Sequence, residues 1–70
     1  MIRSIATLAA EHRDVNNLAQ AIFAEYERAW AEFGNGSKVR DALGFEDGEH
    51  FEIAAWREPG ARRIAERRLR

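Results

Sequence analysis

SIATLAAEHRDVNNLAQAIFAEYERAWAEF, residues 4–33, is the stretch on which the fold turns. Every third and fourth residue from Ile5 reads Ile5, Leu8, His12, Val15, Ala19, Ile22, Tyr26, Ala29, Phe33. That 3-4-3-4 spacing is the period of a helix burying one stripe. The positions between carry Arg3, Arg13, Asp14, Asn17, Gln20, Glu27 and Arg28, which suit water, and no Gly or Pro interrupts the run. The pattern predicts one long helix over about 4–33, with Ser4 capping its first turn.

Downstream, the chain is punctuated into short pieces. Gly34-Asn35-Gly36 ends the long helix, because these residues readily take the left-handed conformation. Ser37 is the expected cap of a helix over about 38–43, and Gly44 closes it, with Phe45 folding back on Val39. Residues 46–58 allow two readings. Asp47 can cap a helix over about 48–57, or Asp47-Gly48 can turn a hairpin with Phe51, Ile53 and Ala55 alternating inward. Pro59-Gly60 reads as a turn, followed by a helix over about 61–69. The expected architecture is therefore all-α in a single small domain, 1–70, with an α+β fold carrying a C-terminal hairpin as the alternative.

Size adds a constraint. From Ile22 onward the stripe widens to include Phe23 and Trp30, so that half needs a large cover. Val39, Leu43, Phe45, Phe51, Ile53 and Trp56 are available to supply it. A 30-residue helix is about 45 Å long, whereas a globule of this size has a radius of gyration of only about 11 Å. The remaining chain cannot cover both ends of such a rod. A homodimer follows as the expectation, parallel or antiparallel, with Ile5, Leu8, His12, Val15 and Leu18 as its seam and His12 as the polar register residue.

Composition narrows the function classes. The chain of 70 residues is 46% hydrophobic and 33% charged, which suits a folded soluble protein. It has no cysteine, so neither a disulfide nor a thiolate metal site can reinforce a small core. No signal-peptide pattern opens it, and no run approaches the ~18 apolar residues of a membrane span; a cytoplasmic protein is the expectation. Net charge is −1, but unevenly spread. Asp41, Glu46, Asp47, Glu49 and Glu52 give residues 41–56 five acids and no base. Arg57, Arg62, Arg63, Arg67, Arg68 and Arg70 outweigh Glu58 and Glu66 in the tail. The simplest reading is that the two segments pair with each other.

Site chemistry is sparse. His50 beside Glu46, Asp47 and Glu49 is one cluster without a second His at ligand spacing, so no metal or cofactor is expected. Ser4 and Ser37 read as caps rather than nucleophiles, and no glycine-rich phosphate loop is present. Residues 38–53, with Arg40, Ala42-Leu43-Gly44, Gly48-Glu49 and the Phe51/Ile53 alternation, resemble the helix, Leu-Gly turn and following strand of AbrB-type swapped-hairpin transcription factors and antitoxins. The resemblance covers 16 of 70 residues and lacks that family's preceding Gly-Arg strand and Ile-Pro step. It implies DNA binding, with Arg40 as the one contact residue it transfers.

The expected function is non-enzymatic binding of another macromolecule. The reading is a small dimeric protein–protein interaction module or inhibitor, and a phage or mobile-element origin suits its size. Its partner surface is expected at Asp41, Glu46, Asp47, Glu49, Glu52 and Trp56, with Trp30 nearby, since aromatic residues dominate interface hot spots. The alternative is a dimeric DNA-binding regulator or antitoxin laying Arg62, Arg63, Arg67 and Arg70 along a phosphate backbone.

Overall fold

Ser4 caps the first helix as its position suggests, its hydroxyl accepting from the Thr7 amide at 3.2 Å. The computed structural model describes all residues, Met1 to Arg70, as five helices and no strand: α1 (Ile5–Glu11), α2 (Val15–Phe33), α3 (Gly36–Leu43), α4 (Glu49–Trp56) and α5 (Glu58–Arg68). The α+β alternative is thereby set aside, and with it the strand implied by the AbrB-type resemblance; residues 49–56 are helical.

The expected single helix over 4–33 is two helices. His12 takes an extended backbone, φ −118° and ψ 105°, and Asp14 caps α2 by accepting from the Asn16 amide at 3.1 Å. A short carboxylate satisfies free amides at a helix start better than it tolerates a helix interior. Asn16 and Asn17 behind it are weak helix formers, so little is lost by breaking there. The break lets α1 fold back onto α2 and α5, which buries Ile5 completely and leaves Leu8 2% exposed. The molecule measures 29 × 24 × 17 Å with a radius of gyration of 10.6 Å, so no 45 Å rod remains to be covered. Stripe membership survives the break in part: Ile22, Tyr26 and Ala29 are buried, as is the adjoining Leu18, whereas His12, Val15, Ala19 and Phe33 are half-buried.

Three boundaries move for local reasons. Gly34 ends α2 at φ 59°, but Asn35 rather than Ser37 caps α3, accepting from the Lys38 amide at 3.1 Å. Gly44 closes α3 at φ 66°, and Phe45 packs against the Tyr26 ring, centroids 6.2 Å apart. Asp47 makes no cap; Gly48 precedes α4 at φ 81°. Pro59-Gly60 is not a turn but the first turn of α5, where proline loses no hydrogen bond.

Gly60 explains why α4 and α5 lie so close. A Cβ there would stand 2.2 Å from the Glu52 carbonyl oxygen and 3.0 Å from the Ile53 Cα. Only glycine permits this backbone approach. The hairpin turns on a single residue, Arg57, whose φ of 57° and ψ of −122° make it the one non-glycine residue with positive φ. The core comprises 13 apolar residues, with Val39, Leu43, Ile53, Ala61, Ile64 and Ala65 joining the α1–α2 stripe. No helix is long and apolar enough to cross a membrane.

Candidate functional site

Two carboxylates are sealed into this small core, and each is answered. Glu25 on α2 is 1% exposed; it accepts from the Arg3 amide at 2.6 Å and from Arg28 Nε at 2.7 Å. Glu49 on α4 is 2% exposed; it accepts from Arg68 Nη2 at 2.8 Å, Arg68 Nε at 3.1 Å and the Glu46 amide at 2.8 Å. Burial pushes both acids up, but the donors outweigh it, and both titrate below the ordinary carboxylate value. The hydrogen bonds from Arg3 and Arg28 do this at Glu25, and those from Arg68 and Glu46 at Glu49.

The acidic middle and the basic tail therefore pair, as the charge distribution suggests. Arg67 forks onto Glu52, with Nη1 at 3.1 Å, and Arg68 also lies 3.8 Å from Glu46 and donates to the Gly44 carbonyl at 3.1 Å. This removes Glu49 from any surface and occupies Glu52. Of the other expected partner residues, Asp41, Glu46, Asp47 and Trp56 are exposed. Of the expected seam, Ile5, Leu8 and Leu18 are buried within their own chain, Val15 is half-buried at the start of α2, and His12 ends α1. The four tail arginines do not form a free row either. Arg62 meets Glu66 at 3.6 Å and Asn16, Arg63 lies 5.0 Å over the Trp56 ring, and Arg67 holds Glu52. Arg70 is exposed at the end.

His50 has no convergent acids around it, and no group of three or more His, Asp or Glu side chains is placed to hold a metal ion. Its ring sits instead among aromatics, 5.4 Å from Phe45, 6.3 Å from Tyr26 and 6.2 Å from Phe51. Nδ1 is buried without a partner. Burial first, and the Arg40 charge second, hold the imidazole below its ordinary value.

The concave surface lies elsewhere, along α2. An open groove of about 590 Å³ runs between α2 and the start of α5, with Ala19, Phe23 and Ala24 facing Pro59 and Arg62. A second, of about 390 Å³, is lined by Tyr26, Glu27, Trp30 and Arg57. Glu27 belongs to both. Arg57 bridges them: its guanidinium sits 5.2 Å over the Phe23 ring and 3.6 Å from Glu27. Trp30, expected in the widened stripe and near the partner surface, is 37% exposed at the far end, and Trp56 is 56% exposed at the hairpin turn. The unusual backbone at Arg57 aims its side chain into this trough, and residues held in such conformations cluster at functional sites.

Sequence reasoning missed Arg57, Arg68, Glu25 and Gly60. A signal existed only for Arg57 and Arg68, two of the six tail arginines in a segment expected to pair. Comparison with known proteins finds no family, no curated protein and no solved structure that matches this chain.

Proposed function

We propose that the protein has no chemistry of its own and acts by binding another protein, through the trough along α2 that Arg57 bridges, with Trp30 at its end and Trp56 exposed at the neighbouring hairpin turn. The observation that carries this reading is the sorting of side chains in the C-terminal half. Carboxylates and guanidinium groups are turned toward each other, while Phe51 and Trp56 remain in solvent, as does Trp30 on α2. Exposed aromatic rings beside an arginine are the usual anchors of protein interfaces, and an apolar surface kept exposed by a small protein marks a place of contact. A trough lined by Ala19, Phe23, Ala24 and Pro59 with Glu27, Arg57 and Arg62 at its rim suits a peptide or helix of a partner, which seats apolar side chains in a groove. The arginines engaged by Glu49, Glu52 and Glu66 have correspondingly less to offer a phosphate backbone.

A photo-crosslinking residue placed at Trp30 tests the reading in extract of the native host. The expected result is one discrete adduct with another protein, lost when Trp56→Ala and Phe23→Ala are added. Tight binding of random duplex DNA at low salt, abolished by Arg63→Gln with Arg67→Gln, would overturn it in favour of a nucleic-acid regulator.

A further inference from the structure

We infer that the outward face of α4 is a twofold interface that takes a second copy of this chain, with the two α4 helices packed antiparallel. This goes beyond the trough on α2 and uses a different surface. In α4, Ile53 and Glu49 point inward, both buried. At 100° per residue, Phe51 and Ala55 share the opposite side, with Ala54 beside them. Phe51 is 76% exposed, more than any large apolar side chain except the terminal Met1, and Ala54 and Ala55 are exposed as well. One large ring next to two small residues on a single helix face is self-complementary: across a twofold axis, each Phe51 seats on the other chain's Ala54 and Ala55.

Charge chooses the orientation. At the start of α4, Glu46 is 72% exposed at its side chain and Asp47 is exposed. At its other end, Arg63 is exposed and lies 5.0 Å over the Trp56 ring. Antiparallel pairing places the acidic end of each helix against the basic end of the other, and opposes the two helix dipoles; parallel pairing would set like against like. A net charge of −1 leaves no long-range repulsion between copies. The seam once expected on Ile5, Leu8 and Leu18 is closed by the chain itself, whereas nothing in the chain covers Phe51.

The face of one eight-residue helix is smaller than the usual ~800 Å² per partner, so association is tested at high concentration. Sedimentation equilibrium of the wild-type chain on the order of 100 μM should give a dimer of the 8.0 kDa chain. Phe51→Glu should give a monomer with unchanged far-ultraviolet circular dichroism, since the ring contributes little inside its own chain. Asp47→Arg and Arg63→Glu should each weaken self-association roughly tenfold, by setting like charges together at both ends of the interface. Mixed in equal amounts, these two variants should pair again, because the mixed dimer has unlike charges at both ends, one contact reversed in sign and the other as in the wild type. A wild-type chain that stays monomeric, a dimer indifferent to Phe51→Glu, or a mixture that fails to recover would each overturn the proposal. The crosslink at Trp30 reads the partner surface independently of all three.

Discussion

The two helical hairpins of this protein are built inside out with respect to each other. In α1–α2 the apolar stripe faces inward, and the single buried acid, Glu25, is answered by a neighbour one turn away and by a backbone amide. In α4–α5 the ion pair Glu49–Arg68 lies inside, two aromatic rings lie outside, and a glycine brings the backbones together. The first half is held by hydrophobic burial, which tolerates small errors of shape. The second adds to its buried Ile53, Ala61, Ile64 and Ala65 an inner charge pair and a close backbone approach, which do not. Placing the acids inward is what leaves Phe51 and Trp56 free for contact, so the fragile packing and the exposed aromatics have one cause.

The sharpest way to break this contrast is to remove the inner acid from each half. Glu49→Ala should destabilise by about 3–5 kcal/mol, because Arg68, with 13% of its side chain exposed, is left beside an uncompensated hole. Glu25→Ala should cost less, about 1–2 kcal/mol, since Arg28 is 65% exposed and returns to water while only the Arg3 amide is orphaned. Urea unfolding followed by circular dichroism measures both, and equal losses would erase the distinction. Gly60→Ala should fall between the two at about 3 kcal/mol, by forcing α5 away from the Glu52 carbonyl.

Acid should act on both halves, beginning at His50. Its imidazole titrates below its ordinary 6.5 when folded, so the unfolded chain binds the proton first as pH falls. The stability it supports is complete above 6.5 and is lost below it. Glu25 and Glu49 have folded values below the ordinary 4.5, so their stabilisation is complete above that value and is lost as pH falls further. Melting temperature against pH should thus decline in two stages. His50→Phe should abolish the upper stage, and should stabilise the neutral protein by about 1 kcal/mol by removing the unpaired Nδ1.

The smallest effects should be found at the outer surface. Arg57→Gly should be neutral or up to about 1 kcal/mol stabilising, because relief of the positive φ outweighs an exposed ion pair; the same change should weaken any partner held in the trough. Phe51→Ser should change stability by less than about 0.5 kcal/mol. A large loss there would mean that the ring is core after all, and that the inside-out contrast is wrong.

How far this could be read from residues depends on the kind of force. The stripe residues Ile22, Tyr26 and Ala29 and the glycines at 34 and 44 follow from periodicity and local backbone preference, and they stand where the sequence puts them. The break at Asp14 did not emerge, because the apolar spacing continues across it and only a capping side chain marks the change. Gly60 looked like a turn residue because its role is set by a helix eight residues earlier. Trp30 was read both as part of the widened stripe and as a neighbour of the partner surface, because composition cannot tell which rings a small protein leaves outside; it is 37% exposed. Pairing of opposite charges was readable as a tendency, but the choice of Arg68 for Glu49 depends on three-dimensional placement alone.

The break at His12–Asp14 also sets a hierarchy of opening. α1 has seven residues, too few to stay helical by itself in water, and its fastening consists of Ile5, Leu8 and the Arg3 amide on Glu25. It can detach while α2 through α5 remain assembled, so its amides should exchange with solvent deuterium well before those of Leu18 to Ala29. Each such excursion uncovers the side of α2 that carries Leu18 and Glu25, giving a protease its first foothold at the N-terminal arm rather than in the charged hairpin.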